Sequence, residues 1–599
     1  MDPIPVVVKH QGKRYDVELD PTSNGETFKF QLYSLTGVEP ERQKILVKGG
    51  QLKDDTDLGK LNVKAGHTFM MMGTPSAEGL AALERPKEPV KFLEDMSEAE
   101  AAQSEGAIPA GLQNLGNTCY MNSTLQALRA IPELQAELAT YTPSTSSGSS
   151  ALGGASSSLG DLGQFGLGGL GSSTDLTASL RDLFKQMSET QEGFPPLVFL
   201  NSLRQAFPQF AQRAREGQGY AQQDAEEAWS QIVSQLRQKL KVKEEVKEES
   251  ETKTKEVSFV DHYMAGKFES VMECDDPEAK EKGEEPVKSE EVFLKLNCHI
   301  GPETNHLRDG LVAGLKESIE KNSEALGRST NYTKTSRIAR LPKYLTVHFV
   351  RFDWKRGAQK KAKIMRKVTF PHELDVIEYC TDDLKKMLVP IRDKIRDIRK
   401  EEEDVERAKK RQKRMREGQE NDVETERATK GKGPASEKES AKDKKTTANG
   451  AKADGDTEMA DVEYKTDAQI EAERAESILA AKKELLGLVD PKLAADVDAN
   501  QSGLYELRGV ITHQGASADS GHYTAYVKKA GRKNPQTGKM GEEDGKWWWF
   551  NDEKVSEVDA EKIEMLSGGG QSHAALVLLY RAVPLPTVEE EKAKEPEKA

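Results

Sequence analysis

Two long polar stretches interrupt this chain of 599 residues. Residues 143–174 are mainly Ser and Gly, and residues 392–470 are dominated by charged side chains. Neither stretch has enough large apolar side chains to offset the entropy lost on ordering. We therefore predict flexible insertions at both places, although the first half of 392–470 also fits a solvated helix. Residues 584–599 are predicted to form a charged tail.

The first 75 residues have the pattern of one small α+β domain. Alternating apolar residues predict a hairpin that turns near residues 11–13. Three apolar residues at helical spacing then predict a buried helix face: Phe28, Leu32 and Leu35. Gly37 is suited to end this helix, and the apolar runs at 45–47 and 68–72 predict two more strands. The predicted order is strand, strand, helix, strand, strand.

This domain resembles ubiquitin, most closely in Gln43–Leu58, which reads QKILVKGGQLKDDTDL. It differs at its end, because the chain continues through Met72–Pro75 without a terminal Gly-Gly. The resemblance therefore implies a fixed ubiquitin-like domain of the β-grasp type at residues 1–75, not a modifier that is conjugated. An unrelated β-grasp domain is the alternative. Residues 76–107 are polar and weakly periodic, and we predict a linker there.

The segment Gly111–Leu128, GLQNLGNTCYMNSTLQAL, places a cysteine where a glycine-bearing loop enters a helix. Asn117 or Thr118 is a candidate N-cap, which puts Cys119 in the first helical turn. A helix N-terminus favours the thiolate, and its free backbone N–H groups suit a developing oxyanion. Taken alone, a single cysteine is more often a buried, inert thiol.

A thiol nucleophile needs a base, and the base needs a group that orients it. The chain has ten histidines, and spacing alone does not choose among them. His513 and His522 flank a loop of small residues, and an alternating strand pattern follows His522. Further on, the string WWWFNDEKV offers Asn551 and Asp552 as orienting groups directly after an aromatic run.

The first of these segments resembles the cysteine box of the ubiquitin-specific proteases nearly letter for letter, and Gly509–Tyr526 resembles their histidine box. The resemblance implies that Cys119 is the nucleophile and that His522 is the general base and acid. It also implies that Asn114, five residues before the cysteine, helps to stabilise the oxyanion. Asn551 becomes the group that orients the imidazole, with Asp552 as the rival.

Two other segments extend the resemblance. Gln222–Glu227, QQDAEE, resembles a box that frames the ubiquitin-binding surface in this family, and Arg340–Asp353 resembles a strand of its palm. The implied fold is α+β in both domains: a β-grasp domain followed by a papain-like cysteine protease with thumb, palm and fingers at residues 108–583. The implied reaction is hydrolysis of the isopeptide bond after the C-terminal glycine of ubiquitin, without a cofactor.

No metal site is expected, because the four cysteines include no C-x-x-C pair. A ubiquitin-like domain joined to these boxes resembles the proteasome-associated members of the family. The implied partners are ubiquitin, polyubiquitinated proteins and the 26S proteasome regulatory particle, the last through the ubiquitin-like domain. By the same resemblance, residues 516–520 and a segment around 317–340 occlude the active site until docking.

Composition excludes other classes of function. The net charge of −14 disfavours a nucleic-acid partner. No apolar stretch is long enough to span a membrane, no secretory signal is visible, and few cysteines fit a reducing compartment. We expect a cytoplasmic and nuclear protein. Two rival functions stay open: a ubiquitin-binding adaptor without activity, and a protease for another ubiquitin-like modifier.

Overall fold

The computed structural model divides into two compact units, Met1–Ser97 and Glu98–Ala599. Within them the structure describes these ranges: 3–47, 50–61, 63–74, 97–102, 107–143, 175–214, 219–248, 251–355, 360–429, 467–517, 520–531, 541 and 543–586.

The N-terminal unit is a sheet of five strands packed on one helix. Its elements are β1 (Ile4–His10), β2 (Lys13–Leu19), α1 (Gly25–Thr36), β3 (Lys44–Val47), β4 (Gly50–Gln51) and β5 (Thr68–Met72). The strand order is β2-β1-β5-β3-β4, with β1 and β5 parallel. Gln11 and Gly12 turn the first hairpin with positive φ angles of 46° and 79°. The predicted element order is confirmed, with the short strand β4 added.

Helix α1 is bounded by polar and glycine caps. The Asn24 side chain accepts a hydrogen bond from the Thr27 N–H over 3.0 Å, and Gly37 ends the helix in the left-handed conformation at φ 68°. Phe28 and Leu32 are buried, as predicted. The prediction for Leu35 is wrong, because its side chain is 42% exposed. Helical spacing identified the face, but the buried stripe continues from Leu32 to Thr36, and Leu35 lies at its edge.

The second unit begins with helices and continues with strands. Its first helices are α2 (Glu98–Ala102), α3 (Cys119–Arg129), α4 (Pro132–Thr140), α5 (Leu176–Glu189), α6 (Leu197–Ala206) and α7 (Ala225–Lys239). Helix α3 is central, since every residue from Cys119 to Leu128 is buried. Helix α2 falls within the predicted linker, so that linker is wrong at residues 98–102. The first insertion, apart from residue 143, lies outside the described residues.

The strands and remaining short helices alternate along the next part of the chain. They are β6 (Lys241–Glu248), β7 (Glu251–Ser258), α8 (Phe259–Tyr263), β8 (Gly266–Cys274), α9 (Pro277–Glu281), β9 (Val287–Phe293), β10 (Leu296–His299), α10 (Leu307–Gly314), β11 (Lys316–Asn322), β12 (Ser329–Arg340), β13 (Tyr344–Val350), β14 (Phe352–Lys355), β15 (Lys360–Lys363) and β16 (Glu373–Asp375). Strands β11-β12-β8-β9 form a separate four-stranded sheet. The segment around 317–340, expected near the active site, contributes two strands of that sheet.

A helical pair separates these strands from the last ones. It consists of α11 (Asp382–Thr429) and α12 (Asp467–Gly487). Ile395 and Ile398 of α11 are buried, and Lys482 Nζ lies 2.7 Å from the Glu402 carboxylate across the pair. The predicted start of the flexible insertion at residue 392 is therefore wrong, because apolar residues of the first helical turns pack into the core. Residues 430–466 lie outside the described residues.

The C-terminal part completes the central sheet. Its elements are α13 (Pro491–Ala495), β17 (Leu504–Ser517), β18 (Ser520–Lys528), β19 (Trp547–Asn551), β20 (Lys554–Val558), α14 (Glu561–Glu564) and β21 (Ala574–Ala582). The sheet runs β10-β13-β21-β17-β18-β19-β20, with β14 to β16 attached beside β17. This order places both halves of the histidine box in the middle of one sheet, next to helix α3. Among the described residues, no helix is long and apolar enough to cross a membrane.

Candidate active site

Cys119 lies at the first position of helix α3, with Thr118 as the N-cap residue. The Thr118 side chain does not cap the helix; its hydroxyl accepts from the Leu115 N–H over 2.9 Å and so shapes the preceding loop. The thiol of Cys119 accepts a hydrogen bond from the backbone N–H of Tyr523 on strand β18. The cysteine box and the histidine box, more than 380 residues apart in sequence, therefore meet at this sulfur.

Burial favours the protonated form of this thiol. Cys119 is only 2% exposed, and burial, with a smaller contribution from the nearby carboxylate of Asp552, raises the pKa of its thiol to about 11. Backbone N–H groups of Tyr523 and Tyr120 oppose that rise. Desolvation by burial therefore opposes the preference for the thiolate that the helix N-terminus predicts. Nucleophilic attack then requires a base.

His522 lies on strand β18, directly before the residue that donates to the cysteine. Its Nε2 is 2.6 Å from the Oδ1 of Asn551 on the neighbouring strand β19. Because an amide oxygen only accepts, this contact fixes the tautomer with the proton on Nε2 and leaves Nδ1 as the basic nitrogen. An imidazole oriented in this way presents Nδ1 as the nitrogen that can take a proton from a thiol.

Asp552, the rival of Asn551, has other partners. Its carboxylate accepts hydrogen bonds from the side-chain amides of Asn114, over 3.0 Å, and Asn122, over 2.8 Å. Asp552 has a φ of 51° in the turn between β19 and β20, which points its side chain away from the histidine strand and towards the cysteine loop. The structure thus brings Asn551 to His522 and Asp552 to Asn114.

The amide of Asn114 is held at both of its polar atoms. Its Oδ1 accepts from the backbone N–H groups of Gly116 and Thr118, over 3.0 and 3.1 Å. Its Nδ2 donates one hydrogen to Asp552. The second hydrogen of Nδ2 remains available for an oxyanion formed beside Cys119. An amide held in this way needs little reorganisation when charge develops.

The loop before Cys119 closes on the turn that carries Asp552. The Leu112 N–H donates to the Asp552 carbonyl over 3.0 Å. The Cα of Gly111 lies so close to the turn that an added Cβ would be 2.4 Å from the carbonyl oxygen of Glu553. This close approach requires glycine at position 111. It also means that the loop before Cys119 and the turn that carries Asp552 must move together.

The QQDAEE segment also reaches the site. Gln222 donates from Nε2 to the Gly521 carbonyl over 3.1 Å, which links the entrance of helix α7 to the residue before His522. Asp224 caps that helix by accepting from the Glu226 N–H over 2.9 Å. Within the segment 340–353, residues Tyr344–Val350 form strand β13. These contacts frame the site without contributing a nucleophile or base.

Sequence reasoning missed two side chains. Asn122 lies one helical turn after Cys119 and is 2% exposed, and a buried asparagine in a helix is the signal that was available. His573 follows the glycine-rich loop near the C-terminus, and its ring centroid lies 6.4 Å from that of His522. Nothing in the spacing of the sequence indicated this contact.

A buried thiol, a histidine oriented by an amide and an anchored asparagine are the groups that a cysteine-dependent hydrolase needs. Comparison with known proteins specifies the class. The family described as "Ubiquitin carboxyl-terminal hydrolase" matches residues 110–580, and the "Ubiquitin family" matches residues 6–76. The chain belongs to the ubiquitin carboxyl-terminal hydrolase family and carries an N-terminal ubiquitin-like domain.

Similar proteins share this combination over nearly their whole length. The chain is 40% identical to "Ubiquitin carboxyl-terminal hydrolase 6" of Schizosaccharomyces pombe, over 97% of this chain and 99% of that protein. It is 37% identical to "Ubiquitin carboxyl-terminal hydrolase 6" of Arabidopsis thaliana, over 96% and 98%. It is 28% identical to "Ubiquitin carboxyl-terminal hydrolase 14" of Caenorhabditis elegans, over 97% and 94%. The protein is therefore a thiol-dependent deubiquitinase of mixed α+β fold.

Proposed function

We propose that the chain hydrolyses the isopeptide bond after the C-terminal glycine of ubiquitin by acyl transfer to Cys119. Nδ1 of His522 takes the thiol proton as the sulfur attacks the carbonyl carbon. The negative charge on the carbonyl oxygen is stabilised by Asn114 and by backbone N–H groups at the start of helix α3. Protonated His522 gives its proton to the departing lysine amine, and then activates the water that releases ubiquitin.

The strand that carries His522 supports this proposal most, because it contacts both Asn551 and the cysteine. His522 has Nε2 on Asn551, and the residue after it donates its N–H to the Cys119 sulfur. The raised pKa of the Cys119 thiol is consistent with general-base attack and argues against a pre-formed thiolate. Asn551 orients the imidazole without adding a charge beside it.

Hydrolysis of a fluorogenic ubiquitin C-terminal substrate tests the proposal. Cys119→Ala should remove activity, whereas Cys274→Ala should leave it unchanged, because Cys274 is buried in the four-stranded sheet that lies apart from the central one. A wild-type protein that binds ubiquitin but shows no hydrolysis would instead favour the adaptor function. Hydrolysis of another modifier in preference to ubiquitin would favour the other rival.

We further propose that the ubiquitin-like domain docks on the 26S proteasome regulatory particle and brings the enzyme to proteasome-bound conjugates, from which ubiquitin is recycled. The feature that supports this docking is an exposed apolar patch on the sheet of the ubiquitin-like domain. Leu46 and Met70 are cross-strand neighbours on β3 and β5, 47% and 54% exposed, and Met72 next to them is 52% exposed. Exposed apolar groups clustered on one face are typical of binding surfaces. Localisation to cytoplasm and nucleus follows from this proposal.

A pair of matched variants tests the docking. Met70→Ser changes the patch, and Phe30→Ser changes an equally exposed apolar residue, 54% exposed on helix α1. With proteasomes that lack their own copy of the enzyme, Met70→Ser should weaken co-sedimentation and any rise in ubiquitin hydrolysis, and Phe30→Ser should not. Equal binding by both variants would contradict docking through this face, while Cys119-dependent hydrolysis would remain.

A further inference from the structure

His573 is placed against the catalytic histidine by the loop that precedes strand β21. The rings of His573 and His522 pack edge to face, with centroids 6.4 Å apart and planes at 73°. This separation lies within the range of favourable aromatic pairs. His573 is half-buried, so its ring covers one side of the His522 ring.

The His573 ring is itself anchored. Its Nδ1 lies 3.1 Å from the Thr512 hydroxyl and 3.5 Å from the Thr524 hydroxyl. The two hydroxyls are 2.8 Å apart and belong to residues paired across β17 and β18. Since Thr524 is two residues after His522 on the same strand, both side chains point to the same face of the sheet. The anchor and the catalytic ring therefore share one face.

The loop that carries His573 is fixed to the same strands. The Gly515 N–H donates to the Gln571 carbonyl over 3.0 Å, and Lys363 Nζ reaches the carbonyls of His513, at 2.6 Å, and Ser572, at 3.5 Å. These bonds fix the two residues that precede His573, and strand β21 begins at Ala574 directly after it. They make its position a property of the framework around the active site, not of a free loop.

We propose that His573 is a positioning residue for the proposed base His522, whose ring it holds in the orientation that directs Nε2 to Asn551 and Nδ1 to Cys119. A single hydrogen bond at Nε2 leaves an imidazole free to swing about its side-chain torsions. A second ring packed against its side removes that freedom, and small errors in the placement of a catalytic group cost large factors in rate. This inference rests on the proposed roles of His522 and Cys119.

The charge state of His573 suits this role. Burial is the main cause that lowers the pKa of His573 to about 4, and nearby His522, Lys363 and Lys562 contribute to the same shift. His513, on the other side of Lys363, is also held neutral, with its pKa lowered to about 3 by burial. At neutral pH the ring of His573 therefore packs against His522 without a positive charge that would oppose formation of the imidazolium.

Two substitutions separate the ring contact from other effects. His573→Ala removes the ring, and His573→Phe keeps a ring without its nitrogens; the Thr512 and Thr524 hydroxyls still have each other as partners. With the fluorogenic ubiquitin substrate, we expect His573→Ala to lower kcat by about 10- to 100-fold with KM unchanged. His573→Phe should restore kcat to within about threefold of the wild type, because the packed ring is retained.

The outcomes distinguish a positioning role of His573 from a general loss of structure. The inference is overturned if His573→Ala keeps the wild-type kcat or changes only KM. It is also overturned if His573→Phe loses as much kcat as His573→Ala. If His573→Ala does not fold, Thr512→Val removes the anchor instead and should lower kcat at constant KM; no change would again overturn it. Cys119→Ala run in parallel keeps the two proposals apart, since Cys119-independent hydrolysis would refute the proposed function itself.

Discussion

The carboxylate of Asp552 accepts a hydrogen bond from the Asn114 amide over 3.0 Å, while its neighbour Asn551 contacts Nε2 of His522 over 2.6 Å. Two adjacent residues in one turn thus serve different parts of the site. Asn551 acts on the proposed base, and Asp552 acts on the group proposed to bind the oxyanion. Their separate partners give the pair distinct and testable effects.

Substitution of the two residues should give independent losses. We expect Asn551→Ala and Asp552→Ala each to lower kcat of ubiquitin C-terminal hydrolysis by about 10- to 100-fold, through misplacement of His522 and Asn114 respectively. Because these partners act on different atoms of the reaction, the losses should multiply in the double variant. A double variant no slower than the slower single variant would show that both residues act on one group.

The raised pKa of the Cys119 thiol predicts a particular pH dependence of alkylation. A thiol whose pKa is about 11 is mostly protonated at neutral pH, so its reactive thiolate fraction grows as pH rises. The rate constant for iodoacetamide labelling of Cys119 should rise about tenfold per unit between about pH 7 and pH 10. A plateau that begins near or below neutral pH would contradict this, because it would show a thiolate stabilised by protonated His522.

The close approach of Gly111 to the β19–β20 turn predicts a position-specific defect. Gly111→Ala would bring a Cβ within 2.4 Å of the Glu553 carbonyl oxygen, whereas a Cβ at Gly570 would meet nothing within 4 Å. We expect Gly111→Ala to destabilise the fold by about 1–3 kcal/mol and to lower kcat, because the turn carrying Asp552 must move. Thermal unfolding and hydrolysis assays measure both effects, and Gly570→Ala is the control. Equal behaviour of the two variants would refute the argument.

The N-terminal domain was largely predictable because local patterns determine it. The alternation of apolar residues located its strands. Asn24 begins its helix and Gly37 ends it, and both residue types are common at these positions and visible in the sequence. Leu35 shows the limit of this approach, because helical spacing does not show which residues at the edge of an apolar face are buried. The start of the second insertion failed for a similar reason: buried Ile395 and Ile398 are only a few apolar residues in a charged segment.

The candidate site was predictable in its members but not in its connections. The boxes around Cys119 and His522 were identified by resemblance, and no periodicity predicts that the residue after His522 donates to the sulfur. The pKa of the thiol depends on burial by distant segments, so the helix N-terminus alone does not determine the direction of its shift. The contact of His573 with His522 likewise arises from the sheet order, in which β21 lies beside β17.

Covalent labelling with ubiquitin that carries an electrophile in place of its C-terminal carboxylate tests the central claim most directly. The account predicts one adduct per chain, located by peptide mapping on Cys119. It also predicts no adduct in Cys119→Ala and slower labelling in His522→Ala. An adduct on Cys274, Cys298 or Cys380, or no adduct on a folded protein, would contradict the assignment of Cys119 as the nucleophile that attacks the C-terminus of ubiquitin.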